Sequence, residues 1–261
     1  MIPKVIHYCW FGGKRKPKLI RDCIDSWKTF LPDYDIIEWN EKNSDLSSKF
    51  VSEAYSLKKW AFVSDYIRLK VLYERGGIYL DTDMLVLKTF DDLLQYKCFF
   101  GAEDLEFISC GVIGAEKKNI FIKKCINFYS ESCFFEKDKL QLNTIPRIVT
   151  KIFNNRYNFN GGFEEFIINE DLAIFPSVVF YPFPFNQSKI TTDYEKFIKK
   201  ESYAVHLWNS SWIEYSEFYY LRERKYRKGI AIVLSKLFVE KKVSLKYLKK
   251  IISCLKESFK N

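Results

Sequence analysis

Residues 61–87, AFVSDYIRLKVLYERGGIYLDTDMLVL, constrain this chain more than any other stretch. From residue 64 to 75 the apolar residues Ile67, Leu69, Val71 and Leu72 recur at helical spacing. Ser64 reads as the N-cap, with Asp65 in the first turn, where the helix dipole favours an anion. Gly76-Gly77 ends the helix, because glycine accepts the backbone a helix stop needs. Residues 78–80 and 84–87 are too apolar for an edge strand and read as buried strand. Helix, double glycine and strand in direct succession predict an α/β layer.

Asp81 and Asp83 interrupt that strand. On a strand, residues i and i+2 share a face, with Cα atoms about 7 Å apart. Two buried carboxylates without a positive partner are costly. A divalent cation with oxygen ligands, Mg²⁺ or Mn²⁺, is the simplest partner. The alternative is a pair of strand-end residues capping backbone amides.

The flanking chain extends the layer. Residues 3–11 form an apolar strand ending at Gly12-Gly13, residues 19–30 a helix, and residues 34–39 a second strand. In such sheets ligands sit beyond the carboxyl ends of the strands, which gathers Trp10, Asn40 and residues 81–83 at one crevice. Trp10 reads either as core or as a platform for a base. His7, inside an apolar strand, reads as a hydrogen-bonded core residue. Residues 46–60 are expected to be helical, residues 98–103 and 109–114 to be strands around an acidic loop, and residues 119–130 a helix. A further helix is expected over 136–153, interrupted by Pro146. Residues 171–184 carry proline-punctuated, strand-like aromatics.

Ser64-Asp65, Arg68, Gly76-Gly77, Tyr79-Leu80-Asp81 and Asp83 together resemble the D-x-D sugar-nucleotide-binding region of the family 32 glycosyltransferases. The shared spacing runs over about 25 residues and is far more specific than a bare D-x-D. The resemblance implies a GT-A-like α/β nucleotide-binding fold, a mixed central sheet flanked by helices, and a nucleotide diphospho-sugar donor. It points Asp65 and Arg68 at the sugar and phosphates, where the bland reading is an i,i+3 ion pair. Tyr79 would support the donor pocket. The segment 204–212, AVHLWNSSW, resembles the family's C-terminal H-x-x-x-S-W loop. That likeness implies His206 as a metal ligand with Asp81 and Asp83, Ser210 or Ser211 at the metal or phosphate, and Trp212 over the sugar. A buried, satisfied histidine is the other reading of His206. The family also implies retention of anomeric configuration and a saccharide or lipid-linked glycan acceptor, as in capsule or lipopolysaccharide synthesis. An acidic cluster, Glu103, Asp104 and Glu106, reads as acceptor contacts or as a solvated turn.

Charge places the rest. The net charge is +9. Residues 222–261 hold 13 Lys and Arg against 3 Asp and Glu, and residues 1–221 hold 29 against 30. The basicity therefore belongs to a tail, which excludes nucleic acid as partner of the main domain. A boundary is expected near residue 221. In the tail Leu245, Leu248, Ile252, Leu255 and Phe259 form a stripe among lysines, read as a helix lying on an anionic membrane or packed on the domain. Seven scattered cysteines without C-x-x-C pairing, and no visible signal peptide, suggest a cytoplasmic protein at most peripheral on the inner face of the plasma membrane. A rival function, an aspartyl-phosphate phosphohydrolase, needs a second paired-Asp motif and a downstream lysine in matching context; Asp91-Asp92 comes too soon.

Overall fold

The computed structural model describes residues 1–130, 135–136, 139–140, 144–209, 218, 221, 224, 226–238 and 245–258. It divides into two compact units, Met1–Asn209 and Ser210–Asn261, so the division falls twelve residues before the expected boundary at 221.

The first unit is built on strands β1 (Val5–Cys9), β2 (Asp35–Trp39), β3 (Gly77–Leu80), β5 (Cys98–Ala102), β6 (Ile108–Ala115), β9 (Ile167–Ile168) and β10 (Ala173–Phe175). They form one sheet in the order β2-β1-β3-β6-β5-β10-β9. β1 runs parallel to both β2 and β3, and β6 is antiparallel to β3 and β5. The sheet is thus mixed, as expected of a GT-A-like fold. Helices α1 (Lys18–Phe30), α2 (Lys49–Ser56), α3 (Trp60–Arg75), α4 (Ile120–Ser130) and α5 (Ile145–Tyr157) pack around it. α1 buries one face, with Ile20, Cys23, Ile24 and Trp27. α6 (Ser177–Phe180) and α7 (Phe185–Ser188) are single turns.

Two strand pairs stand apart from this sheet. β4 (Met84–Val86) pairs antiparallel with β11 (Ala204–His206), matching His206 to Met84. β7 (Phe135–Glu136) and β8 (Lys139–Leu140) make a small hairpin.

Three local expectations are corrected. α3 begins at Trp60, so Ser64 is no N-cap. Its hydroxyl donates back to the Trp60 carbonyl at 2.9 Å, a bond open to a helical serine, and Asp65 falls in the second turn. The helix expected over 46–60 shrinks to α2, because the chain breaks at Lys58, whose φ is +58°. The helix expected over 136–153 starts only at Ile145, with Pro146 in its first turn, where a missing amide costs nothing.

The glycine stop is as expected. Gly76 and Gly77 have φ of +70° and +109°, and a Cβ on Gly77 would lie 2.7 Å from the Val5 carbonyl. His7 locks the same corner. The Trp39 indole N–H can only donate, so Nδ1 of His7 accepts it at 3.1 Å and Nε2–H donates to the Gly76 carbonyl at 2.9 Å. The imidazole is neutral, with burial lowering its pKa to about 4.

The second unit contains α8 (Tyr226–Phe238) and α9 (Leu245–Ser258). Arg224 Nε donates to the Ser258 carbonyl at 2.9 Å. α9 buries Cys254 and Ser258 and exposes Leu248 and Ile252, so part of the predicted apolar stripe faces solvent. Phe259 lies outside the described residues. Among the described residues, no helix is long and apolar enough to cross a membrane.

Candidate active site

β1, β2 and β3 run in one direction, so Trp10, Asn40 and Asp81 leave the sheet at the same end, as the crevice argument expects. The Trp10 amide donates to the Trp39 carbonyl, and its indole N–H to the Lys14 carbonyl at 2.6 Å. Lys16 Nζ stands 5.5 Å from the Trp10 ring. The Asn40 side chain serves its own turn, donating to Glu38 and accepting the Lys42 amide.

Asp81 and Asp83 do not share the face of a continuous strand. They occupy a turn between β3 and β4, closed by the Met84 amide donating to the Asp81 carbonyl at 3.0 Å. The turn lets the chain leave the main sheet for the β4–β11 ribbon, and it sends the two carboxylates to different partners.

Asp81 faces Arg68. Nη1 of Arg68 lies 3.2 Å from Asp81 Oδ1 and donates to the Cys110 carbonyl at 2.7 Å, while Nη2 lies 3.0 Å from Asp65 Oδ1. The guanidinium sits 4.5 Å from the Tyr79 ring, and the Tyr79 hydroxyl donates to Asp81 at 3.1 Å. Asp65 and Arg68 are 7% and 5% exposed, so they form a buried pair and not the surface pair of the bland reading, and Asp81 joins them from a half-buried position. Burial pushes the Asp65 carboxyl up to about 7 against the pull of Arg68, and the Asp81 charge adds to the rise. The positive charge that the sequence demanded beside Asp81 is therefore a residue of the chain.

Asp83 faces His206. Its Oδ1 lies 2.9 Å from His206 Nε2, and its Oδ2 accepts the Asn209 amide at 2.8 Å. Burial pushes the imidazole down, but the Asp83 charge and hydrogen bond outweigh it and raise it. The same pairing holds the Asp83 carboxyl below its ordinary value despite burial.

Among the described residues, no three His, Cys, Asp or Glu side chains cluster as a ready metal site. The pair Asp83–His206 nevertheless fits a hard cation. Bonds of about 2.1 Å at right angles put neighbouring ligand atoms about 3 Å apart, close to the 2.9 Å observed. A cation can replace the shared proton without separating the two side chains. His206 Nδ1 is buried without a hydrogen-bond partner, so this ring has a polar atom still to satisfy.

Three residues escaped the sequence reading. Trp208, two positions after His206, packs its ring 4.0 Å from the imidazole centroid and donates to the Phe183 carbonyl at 2.6 Å. Its φ of +50° is unusual for a bulky side chain, and that twist turns the indole back onto His206. Tyr181 meets His206 edge-on at 5.8 Å, and its hydroxyl accepts the Val112 amide. Gly111 accepts the Asp81 amide, and a Cβ there would stand 3.1 Å from both Asp81 Oδ2 and the Tyr181 hydroxyl. Only Trp208 left a signal, by its nearness to the histidine. Ser210, Ser211 and Trp212 lie outside the described residues.

A mixed α/β sheet with an Asp-x-Asp turn at the end of an inner strand, faced by a buried arginine and a histidine, defines a DXD glycosyltransferase domain. Residues 17–100 match the model described as glycosyltransferase sugar-binding region containing DXD motif, and residues 114–226 match the alpha 1,4-glycosyltransferase conserved region. The two regions follow one another along the chain, and both are glycosyltransferase regions. The first contains Asp65, Arg68, Asp81 and Asp83, and the second Tyr181, His206 and Trp208.

Curated relatives include inositol phosphoceramide mannosyltransferase 3 of Schizosaccharomyces pombe, 28% identical over 48% of this chain and 36% of the relative. Lactosylceramide 4-alpha-galactosyltransferase of Mus musculus is 26% identical over 56% of this chain and 40% of the relative. An uncharacterized Arabidopsis thaliana protein is 30% identical over 56% of this chain and 24% of its own length. The chain thus spans between a quarter and two fifths of these relatives. Among solved structures, the PaToxG glycosyltransferase superposes with a TM-score of 0.49 at 22% identity, over 60% of this chain and 70% of that one.

Proposed function

We propose that this chain transfers a hexosyl group from a nucleotide diphospho-sugar to a saccharide or lipid-linked glycan, using Mn²⁺ or Mg²⁺. The observation that carries the reading is the meeting of Asp83 with His206 beside the Asp65–Arg68–Asp81 triad. Asp83 and His206 would hold the cation, which supplies positive charge to the leaving diphosphate. Arg68 fixes the Asp81 carboxylate, and Asp65 holds Arg68 in place. Trp10 and Asn40, at the same strand ends, belong to the nucleotide side. Retention of configuration enters the proposal through the family likeness.

A lipid-linked acceptor is supported by the names of two relatives, which specify inositol phosphoceramide and lactosylceramide. Attachment to an anionic membrane is supported by Leu248 and Ile252, exposed on α9 among Lys249, Lys250 and Lys256. A place on the cytoplasmic face, in synthesis of a capsule or lipopolysaccharide, completes the proposal.

Calorimetric titration with a panel of UDP-, GDP- and ADP-sugars, with Mn²⁺ and then with EDTA, tests the central claim. Binding to one donor that weakens in EDTA is expected. Equal binding in EDTA, or no binding to any donor, overturns it.

A further inference from the structure

We infer that the cavity between Glu103, Tyr181 and Phe197 receives a sugar ring of the acceptor, with the Glu103 carboxyl taking a ring hydroxyl; this rests on the glycosyl-transfer reading above. The cavity measures about 370 Å³, within the size of small-molecule sites. One wall is the turn joining β5 to β6, with Glu103, Asp104 and Leu105. The facing walls come from Ser177 and Val178, the segment 181–184, and Lys196, Phe197 and Lys199.

Position argues first. Tyr181 is common to the cavity and to the Asp83–His206 pair: it lines the one and packs edge-on against the imidazole of the other. Its hydroxyl is tied to Val112 on β6, the strand whose Gly111 anchors Asp81.

Chemistry argues next. Val178, Tyr181, Pro182, Pro184 and Phe197 give an apolar lining suited to the C–H faces of a pyranose, beside the polar Glu103, Asp104 and Ser177. Glu103 and Asp104 repel a diphosphate, which argues against the donor, and Lys196 is already paired with Asp193 at 2.5 Å. A neutral hydroxylated ring meets no such conflict. A half-buried carboxyl accepts hydroxyl hydrogen bonds that offset its lost hydration.

Saturation-transfer NMR with methyl β-galactoside, methyl β-glucoside and methyl α-mannoside tests the assignment, alongside calorimetry with the nucleotide sugars. Val178→Trp fills the cavity and Glu103→Ala removes the hydroxyl acceptor, the second guarding against misfolding of the first. Wild type is expected to transfer saturation to the ring protons of at least one glycoside. Both variants should raise that glycoside's Kd by about tenfold or more, and the nucleotide-sugar Kd by less than about threefold. The assignment is overturned if no glycoside is saturated, if both variants bind it as wild type does, or if both affinities fall together. A protein that binds a glycoside but no nucleotide sugar removes the transferase reading, and the acceptor role with it.

Discussion

Nε2 of His206 lies 2.9 Å from Oδ1 of Asp83 across 123 residues of chain. Asp83→Asn keeps the size of the side chain and an acceptor for the Asn209 amide but loses the charge that would hold a cation. Turnover of the nucleotide sugar is expected to fall at least about 100-fold, with unchanged circular dichroism. Wild-type turnover at saturating Mn²⁺ would remove Asp83 from the catalytic machinery.

Above pH 7, where Asp65 is ionised, Arg68→Met leaves Asp65 and Asp81 facing each other without their shared cation. Breaking a buried pair in this way costs about 3–5 kcal/mol. Urea denaturation should show that loss. In Asp65→Asn/Arg68→Met, one of the stranded charges is gone, so part of the stability should return. A double variant as unstable as the single one would mean that Arg68 stabilises through packing alone.

Gly111→Ala tests the close approach of β6 to Asp81. The added methyl presses on the carboxylate and on the Tyr181 hydroxyl together. Both lie beside the site, so kcat should fall by about tenfold or more while stability changes by about 1–3 kcal/mol. Unaltered kinetics would show that the Asp81 carboxylate tolerates displacement.

Two buried groups should give opposing pH slopes. Asp65 keeps its proton up to about pH 7 in the folded chain, whereas unfolded aspartate releases it near pH 4. Its contribution to stability is therefore lost as pH rises from about 4 to 7. His7 is the reverse: folded, it stays neutral down to about pH 4, and unfolded histidine gains its proton near pH 6.5. Stability is lost at this site as pH falls from about 6.5 to 4. In His7→Gln the opposing His7 slope is removed, so unfolding free energy should fall more steeply, or rise less, between pH 4 and 7 than in wild type. Urea titrations at several pH values check this, and parallel curves for variant and wild type would refute it.

The lysines of α9 should carry membrane affinity. Replacing Lys249, Lys250 and Lys256 by Gln is expected to reduce sedimentation with phosphatidylglycerol vesicles, at about 1 kcal/mol per engaged charge. The loss should shrink in high salt, where wild type is itself weakened. Equal binding by variant and wild type would mean that the lysines only solvate the helix.

The layer and its glycine stop were legible because hydrophobic period and backbone chemistry act locally. The α1 helix and the β1 and β2 strands fall at the stretches where the pattern put them, although β1 is two residues shorter at each end. Helix starts were less legible: Ser64 looks like a cap until the preceding Trp60, Ala61 and Val63 are seen to continue the buried face. The geometry of Asp81 and Asp83 depended on β4 leaving the main sheet, a choice fixed by pairing with β11 far along the chain. Their partners were foreseen in part. Arg68 and His206 came from the family likeness, but the sequence assigned the neutralising charge to a metal where Arg68 supplies it to Asp81. Tyr181 and Gly111 carry no local signature, since their roles come from contacts across the sheet.

The β4–β11 ribbon joins the Asp-x-Asp turn to a strand more than 110 residues later. A nascent chain halted at residue 200 has every strand of the seven-stranded sheet, and the Asp65–Arg68–Asp81 triad can already close. Asp83 then has neither imidazole nor Asn209 amide to meet. On the ribosome, the domain can therefore reach its folded sheet while still chemically incomplete. The pair forms only when residues 204–209 emerge, so a prematurely ended polypeptide would keep the triad and lack the meeting of Asp83 with His206.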